Sequence, residues 1–134
     1  MSSTQLAWLK AELADAEMHN KNIGLFCHVN LHPECSNNDT LLWNYEEVLS
    51  IIGGSCVRAV FSGHQHEGGL FTDKAGVHHC CFESPLLCKP GDPGAFAVVE
   101  VRRDTIQIAG YAPSLTDYQE CAARGHVLSG EAQR

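Results

Sequence analysis

The sequence predicts a mixed α/β fold, an α+β arrangement in which a helix leads into a βαβ unit and then into an antiparallel β-meander. Three observations predict it. Apolar residues recur at helical spacing near the amino terminus. Two short apolar runs, 23–29 and 56–61, flank a second helical pattern. Beyond residue 68, four more apolar runs alternate with turn-forming residues. With 134 residues, 44% hydrophobic and 19% charged, the chain has the length and composition of one globular domain.

Ser2 and Gln5 have capping-box spacing, and Leu6, Leu9, Leu13 and Ala16 follow at helical intervals, which predicts a helix over 3–19. The run Ile23 to Val29 reads as a buried strand with His28 near its end. A polar loop follows from Asn30 to Asp39, containing Pro33 and a Ser-Asn-Asn-Asp cluster. Asp39 or Thr40 then caps a second helix reaching about Ile52, with Leu42, Tyr45, Leu49 and Ile52 on one face and Gly53-Gly54 as its stop. Residues 56–61 form the next strand, completing a βαβ unit with a parallel pair. Runs at about 69–73, 77–82, 95–101 and 105–110 are separated by Asp73-Lys74-Ala75-Gly76, Pro90-Gly91-Asp92-Pro93 and Arg103-Asp104, the turn chemistry of a meander. We place the domain at 1–111 and read 112–134 as a polar, loosely held tail.

Sixteen acidic residues against nine basic give a net charge of −7, which argues against a phosphate-backbone binder. No apolar run approaches the roughly 18–20 residues of a membrane span, and Met-Ser-Ser-Thr leading into a charged amphipathic pattern is not a secretory signal. The seven cysteines are odd in number and lack CxxC spacing. They read as reduced thiols of a cytoplasmic protein, with Cys27 and Cys56 as small core hydrophobes.

The chemistry concentrates at Ser62-Gly63-His64-Gln65-His66, directly after the strand 56–61. In a βαβ crossover the two parallel strands end at one edge, where open α/β sheets place their ligands. His28, His64 and His66 are therefore expected to converge there as metal ligands, since imidazole is the commonest metal-binding side chain. His32 reads as a rim residue, His78 and His79 point to opposite faces of a strand, and His19 and His126 read as exposed. A structural zinc site would need Cys/His ligands at spacings the cysteines lack. A Cys27 nucleophile would be turned away from His28 by strand alternation.

Gln5-Leu6-x-Trp8-Leu9, His28-Val29-x-Leu31-x-Pro33, Leu42-Trp43-Asn44-Tyr45 and Gly63-His64-x-His66-x-Gly68-Gly69 occur in that order, followed by Gly76-Val77-His78-His79 and Ala95-Phe96. This series, covering about residues 2–110, resembles calcineurin-like metallophosphoesterases, and within them the manganese-dependent ADP-ribose/CDP-alcohol diphosphatases. The resemblance implies half of an αββα metallophosphoesterase sandwich. It further implies a dinuclear divalent metal centre, manganese with zinc or iron as options, in which His28 and His64 ligate one metal and His66 the other. It makes a nucleotide-diphosphate-type molecule the substrate, with Asn30, Trp43, Asn44 and Tyr45 as candidate pocket residues; core packing is the competing reading for Trp43 and Tyr45. The family's Asp-containing first motif, its Gly-Asp-x-x-Asp motif and its Gly-Asn-His motif do not occur in these 134 residues. The expectation is thus the carboxyl-terminal half of a hydrolase, inactive alone, incomplete at its metal site, and prone to self-association or to pairing with an amino-terminal half. A non-catalytic binding or regulatory remnant and a weak transition-metal binder are the alternatives.

Overall fold

The computed structural model describes residues 1–92, 94–102, 105–111 and 126–129. Helix α1 (Ser3–Met18) begins at the expected capping box: the Gln5 backbone N–H donates to Ser2 Oγ at 3.3 Å and the Ser2 N–H donates to Gln5 Oε1 at 2.8 Å. Leu6, Leu9, Leu13 and Ala16 are its buried stripe. Strand β1 (Ile23–Phe26), helix α2 (Tyr45–Ile52) and strand β2 (Val57–Ser62) then form the βαβ unit, with β1 and β2 parallel. The register slips between Ile23 and Gly24, which pair with Val57 and Ala59, so Arg58 is the extra residue of a bulge.

The second helix is shorter than the sequence spacing predicts. Neither Asp39 nor Thr40 caps it. They sit in a separate 3-10 turn over Asn38–Thr40 whose cap is Asn37, its Oδ1 accepting from the Asp39 and Thr40 N–H groups. The N-cap position of α2 falls to Asn44, whose side chain makes no capping bond. Leu41 then bridges to Asn30, and the Leu42 N–H donates to the Asn30 carbonyl at 2.9 Å. Those backbone groups are engaged across the loop, so α2 starts only at Tyr45.

The four meander strands also divide differently. Strands β3 (Gly69–Thr72) and β4 (His78–Cys81) form the expected hairpin, its turn held by Asp73 Oδ1 accepting from the Ala75 and Val77 N–H groups at 2.9 Å each. But β4 lies parallel beside β2, giving a mixed sheet of order β1-β2-β4-β3. Strands β5 (Phe96–Val101), β6 (Thr105–Tyr111) and β7 (His126–Ser129) form a second, antiparallel sheet. Turn residues specify hairpins but not which sheet a hairpin joins. Strand β7 falls inside the segment expected to be a loose tail; the rest of 112–134 lies outside the described residues, as does the side chain of His126.

The central strands of the first sheet, β2 and β4, are buried on both faces. Leu6, Leu9 and Leu13 of α1 and Val48 and Ile52 of α2 pack with Val57 and Val60 on one face. Ala59, Phe61 and Cys80 meet Ile108 of the second sheet on the other. The order is helices, sheet, sheet. Gly69 supports this packing because the backbone of Cys35 would stand 3.2 Å from a Cβ there, so the loop after β1 lies flat on β3.

Val48 and Ile52 are fully buried. Ile52→Ala is expected to lower unfolding free energy by about 2–5 kcal/mol, measured by urea denaturation. A loss below about 1 kcal/mol would be inconsistent with a core in which α2 packs with α1 against β2.

Candidate functional site

The carboxyl ends of β1 and β2 stay paired beyond the strands. The Cys27 N–H donates to the Phe61 carbonyl at 3.0 Å and the Gly63 N–H donates to the His28 carbonyl at 3.0 Å. This extension sets His28 beside the Gly63-His64 turn, with the two imidazole centroids 5.0 Å apart and edge to face at 63°. Both rings are exposed at the sheet edge. His64 has a φ of +70°, and the Gln65 N–H donates to the Gly63 carbonyl at 2.8 Å, which makes 63–65 a tight three-residue turn in the left-handed region.

The turn is held from beneath. Asn30 is 1% exposed. Its Nδ2 donates to the Gly63 carbonyl at 2.8 Å and its Oδ1 accepts from Ser62 Oγ at 2.6 Å. The buried Cys81 thiol donates to the same Gly63 carbonyl at 3.1 Å. From the loop side, Thr40 Oγ1 donates to Gln65 Oε1 at 2.9 Å.

Of the three expected ligands, the His28 and His64 rings meet at the sheet edge. His66 is exposed, and its carbonyl accepts from the Ser84 N–H at 2.9 Å. Among the described residues, no group of three or more His, Cys, Asp or Glu side chains is placed to hold a metal ion. Two imidazoles without an oxygen donor do not fit manganese, which favours carboxylate, carbonyl and water ligands. The described residues thus do not by themselves make a dinuclear manganese site.

The expected pocket residues separate by exposure. Trp43 is fully exposed, which removes core packing as its role. With Leu41, Leu42, Asn44 and His64 it lines a groove of about 600 Å³. Asn44 is half-buried and its Nδ2 donates to the Met1 carbonyl at 3.0 Å and to Glu47 Oε2 at 3.2 Å. Tyr45 is half-buried, with its hydroxyl 3.4 Å from Glu46 Oε1. Asn30 lies under the site rather than on its wall. Ser62 and Gln65 lie within the stretch the sequence highlights but have no supporting role assigned there, and nothing in the sequence marks Cys81 as a third support of the turn.

The other histidines form a separate cluster. The His32 ring stacks on Phe71 at 4.4 Å and lies 4.7 Å from that of His79. His79 is 3% exposed, its Nε2 is 3.1 Å from Asp73 Oδ2, and its Nδ1 has no hydrogen-bond partner. His78 Nδ1 is 2.9 Å from Thr72 Oγ1. Burial holds the His79 imidazole below its ordinary pKa, and the Asp73 hydrogen bond only partly opposes this. Burial likewise lowers His32, against the pull of Asp73 and Glu34. Cys27, Cys35 and Cys80 are not candidate nucleophiles: burial pushes Cys27 up to about 11 and Cys35 and Cys80 up to about 12. Among the described residues the cysteines at 27, 35, 56, 80, 81 and 88 are free.

No family model matches the chain. Individual proteins do. It is 38% identical over 118 residues to the manganese-dependent ADP-ribose/CDP-alcohol diphosphatase of Oryza sativa subsp. japonica, covering 87% of this chain and 36% of that protein. It is 34% identical over 110 residues to the Homo sapiens protein of the same name, covering 81% and 32% respectively. The crystal structure of a dimetal phosphatase from Danio rerio superposes with a TM-score of 0.78 at 32% identity, covering 82% of this chain and 35% of that one. The two-faced sheet with its histidine edge is thus a metallophosphoesterase architecture, and the chain belongs to the metallophosphoesterase family. Within that family its sequence relatives are the proteins named manganese-dependent ADP-ribose/CDP-alcohol diphosphatase, and the chain spans about a third of their length. No described helix is long and apolar enough to cross a membrane.

The buried histidines generate a pH prediction. An unfolded chain takes up protons on His79 and His32 near about pH 6.5, whereas the native state resists them. The stability they contribute is complete above that pH and is lost as pH falls through their lowered native values. The urea midpoint is expected to drop between about pH 7.5 and 5.5, with a shallower drop in His79→Gln. An unchanged slope in His79→Gln would remove His79 as the cause.

Proposed function

We propose that this chain supplies the imidazole edge and one groove wall of a manganese-dependent diphosphatase acting on an ADP-ribose- or CDP-alcohol-type phosphoanhydride, and that the carboxylate donors come from outside these 134 residues. The observation that carries the reading is the meeting of His28 and His64 at 5.0 Å, at the ends of two parallel strands and on the rim of the groove that Trp43 lines. The class of substrate is that named for the relatives. The exposed indole of Trp43 suits a nucleobase or ribose, because a flat apolar face stacks on such groups in water. In this reading Asn44 and Tyr45 shape the wall beside it, and His66 serves a second metal position once further donors are present. The free, buried thiols support a reducing compartment such as the cytoplasm.

The side chains of Phe26, Phe96, Val98 and Val101 are exposed, and Phe26 stacks on Phe61 with its own outer face open. Their exposure supports association, with a second copy or with further polypeptide of the same enzyme. The absence of a three-ligand cluster among the described residues favours a second reading, a binding module that retains the fold without the chemistry.

Incubation with ADP-ribose and Mn²⁺ separates these. The chain alone is expected to release no AMP, and to gain activity when the polypeptide carrying the three absent motifs is added. Turnover by the chain alone would overturn the incompleteness. Continued silence in the complemented mixture, with nucleotide still bound, would establish the binding module. Sedimentation is expected to show self-association of the isolated chain, and a monodisperse monomer at high concentration would refute it. Mn²⁺ titration is expected to broaden the His28 and His64 imidazole resonances before that of His19; uniform broadening would count against a shared site.

A further inference from the structure

The strained turn at His64 raises the question of what holds it. A non-glycine residue at φ +70° persists only where its surroundings over-determine it. Three donors converge on one acceptor here. The Gly63 carbonyl accepts from the Gln65 N–H at 2.8 Å, from Asn30 Nδ2 at 2.8 Å and from the Cys81 thiol at 3.1 Å. The Asn30 amide is itself oriented, because Ser62 Oγ donates to its Oδ1 at 2.6 Å and so turns Nδ2 toward Gly63. Asn30, Ser62 and Cys81 are all buried, so water cannot replace a lost donor without reaching into the sheet edge.

The main chain of Asn30 performs a second task. It bridges to Leu41 and its carbonyl accepts from the Leu42 N–H at 2.9 Å. Leu41, Leu42, Trp43 and His64 line the same groove. One buried residue thus ties down both the imidazole wall and the indole wall.

We propose that Asn30 is the positioning residue of this site: through the Gly63 carbonyl it holds the turn that aims His64 at His28, and through its backbone it sets the separation of His64 from Trp43. Without the Nδ2 donor, His64 relaxes toward negative φ and its imidazole swings away from His28. The inference rests on the reading of His28 and His64 as the functional pair, and its test is independent of any metal.

The test is a double-mutant cycle on the full chain with an NMR readout. His64→Gly removes the left-handed strain and is expected to raise the unfolding midpoint, while His64→Ala does not. In an Asn30→Ala background the gain from His64→Gly is expected to disappear, because the released turn no longer stores strain. The nuclear Overhauser contact between the two imidazoles is expected in the parent chain and lost in Asn30→Ala and Asn30→Asp. A merely structural Asn30 would lower the midpoint and leave that contact intact. Should Asn30→Ala fail to fold, Ser62→Ala takes its place, expected to weaken the contact by freeing the amide. A retained contact, or equal effects of His64→Gly and His64→Ala, would overturn the proposal. Loss of the contact in a parent chain that shows no Mn²⁺ response would keep the positioning role and remove the metal reading. The opposite pattern would do the reverse.

Discussion

The parallel pairing of β1 with β2 is the constraint on which the rest of the molecule depends. Its register places Phe26 beside Phe61, and the continuing bonds Cys27 to Phe61 and Gly63 to His28 carry the pairing past the strand ends. A loop joined to only one strand could place a histidine almost anywhere. Here two loops leave adjacent strands while still hydrogen-bonded, so His28 and His64 inherit the spacing of the sheet. The helices serve this arrangement from behind, because α1 and α2 cover one face of both strands.

The bulge at Arg58 and the insertion of β4 beside β2 follow from the same demand. A strand buried on both faces must send apolar residues each way, and the slipped register lets Val57 and Val60 face the helices while Ala59 and Phe61 face the second sheet. Placing β4 on the free side of β2 keeps β2 central. It also brings Cys81 under Gly63, so the sheet order contributes a donor to the turn as well as an apolar floor.

Much of this was legible in the sequence for local reasons. The capping box at Ser2, the heptad-like leucines, the βαβ order and the histidines at strand ends are signals carried by residues within a few positions of one another. The features that were not legible depend on distant partners. Asn37 capping its own turn and Asn30 capturing Leu42 shortened α2, and no property of residues 39–44 announces that. The sheet choice of β4 is decided by packing against β2. The tight turn that sets His64 beside His28 depends on one positive φ at His64, which histidine does not advertise as glycine would. The sequence makes Asn30 a candidate pocket residue; only its burial reveals that it faces inward.

Both tryptophans of the chain, Trp8 and Trp43, have exposed side chains. Indole emission depends on local polarity, and a fold that leaves its tryptophans in water gives a native spectrum close to the unfolded one. Ordinary fluorescence is therefore a poor gauge of folding for this molecule and a good gauge of occupancy. Trp43 shares its groove with His64, so whatever displaces water there carries its own optical signature.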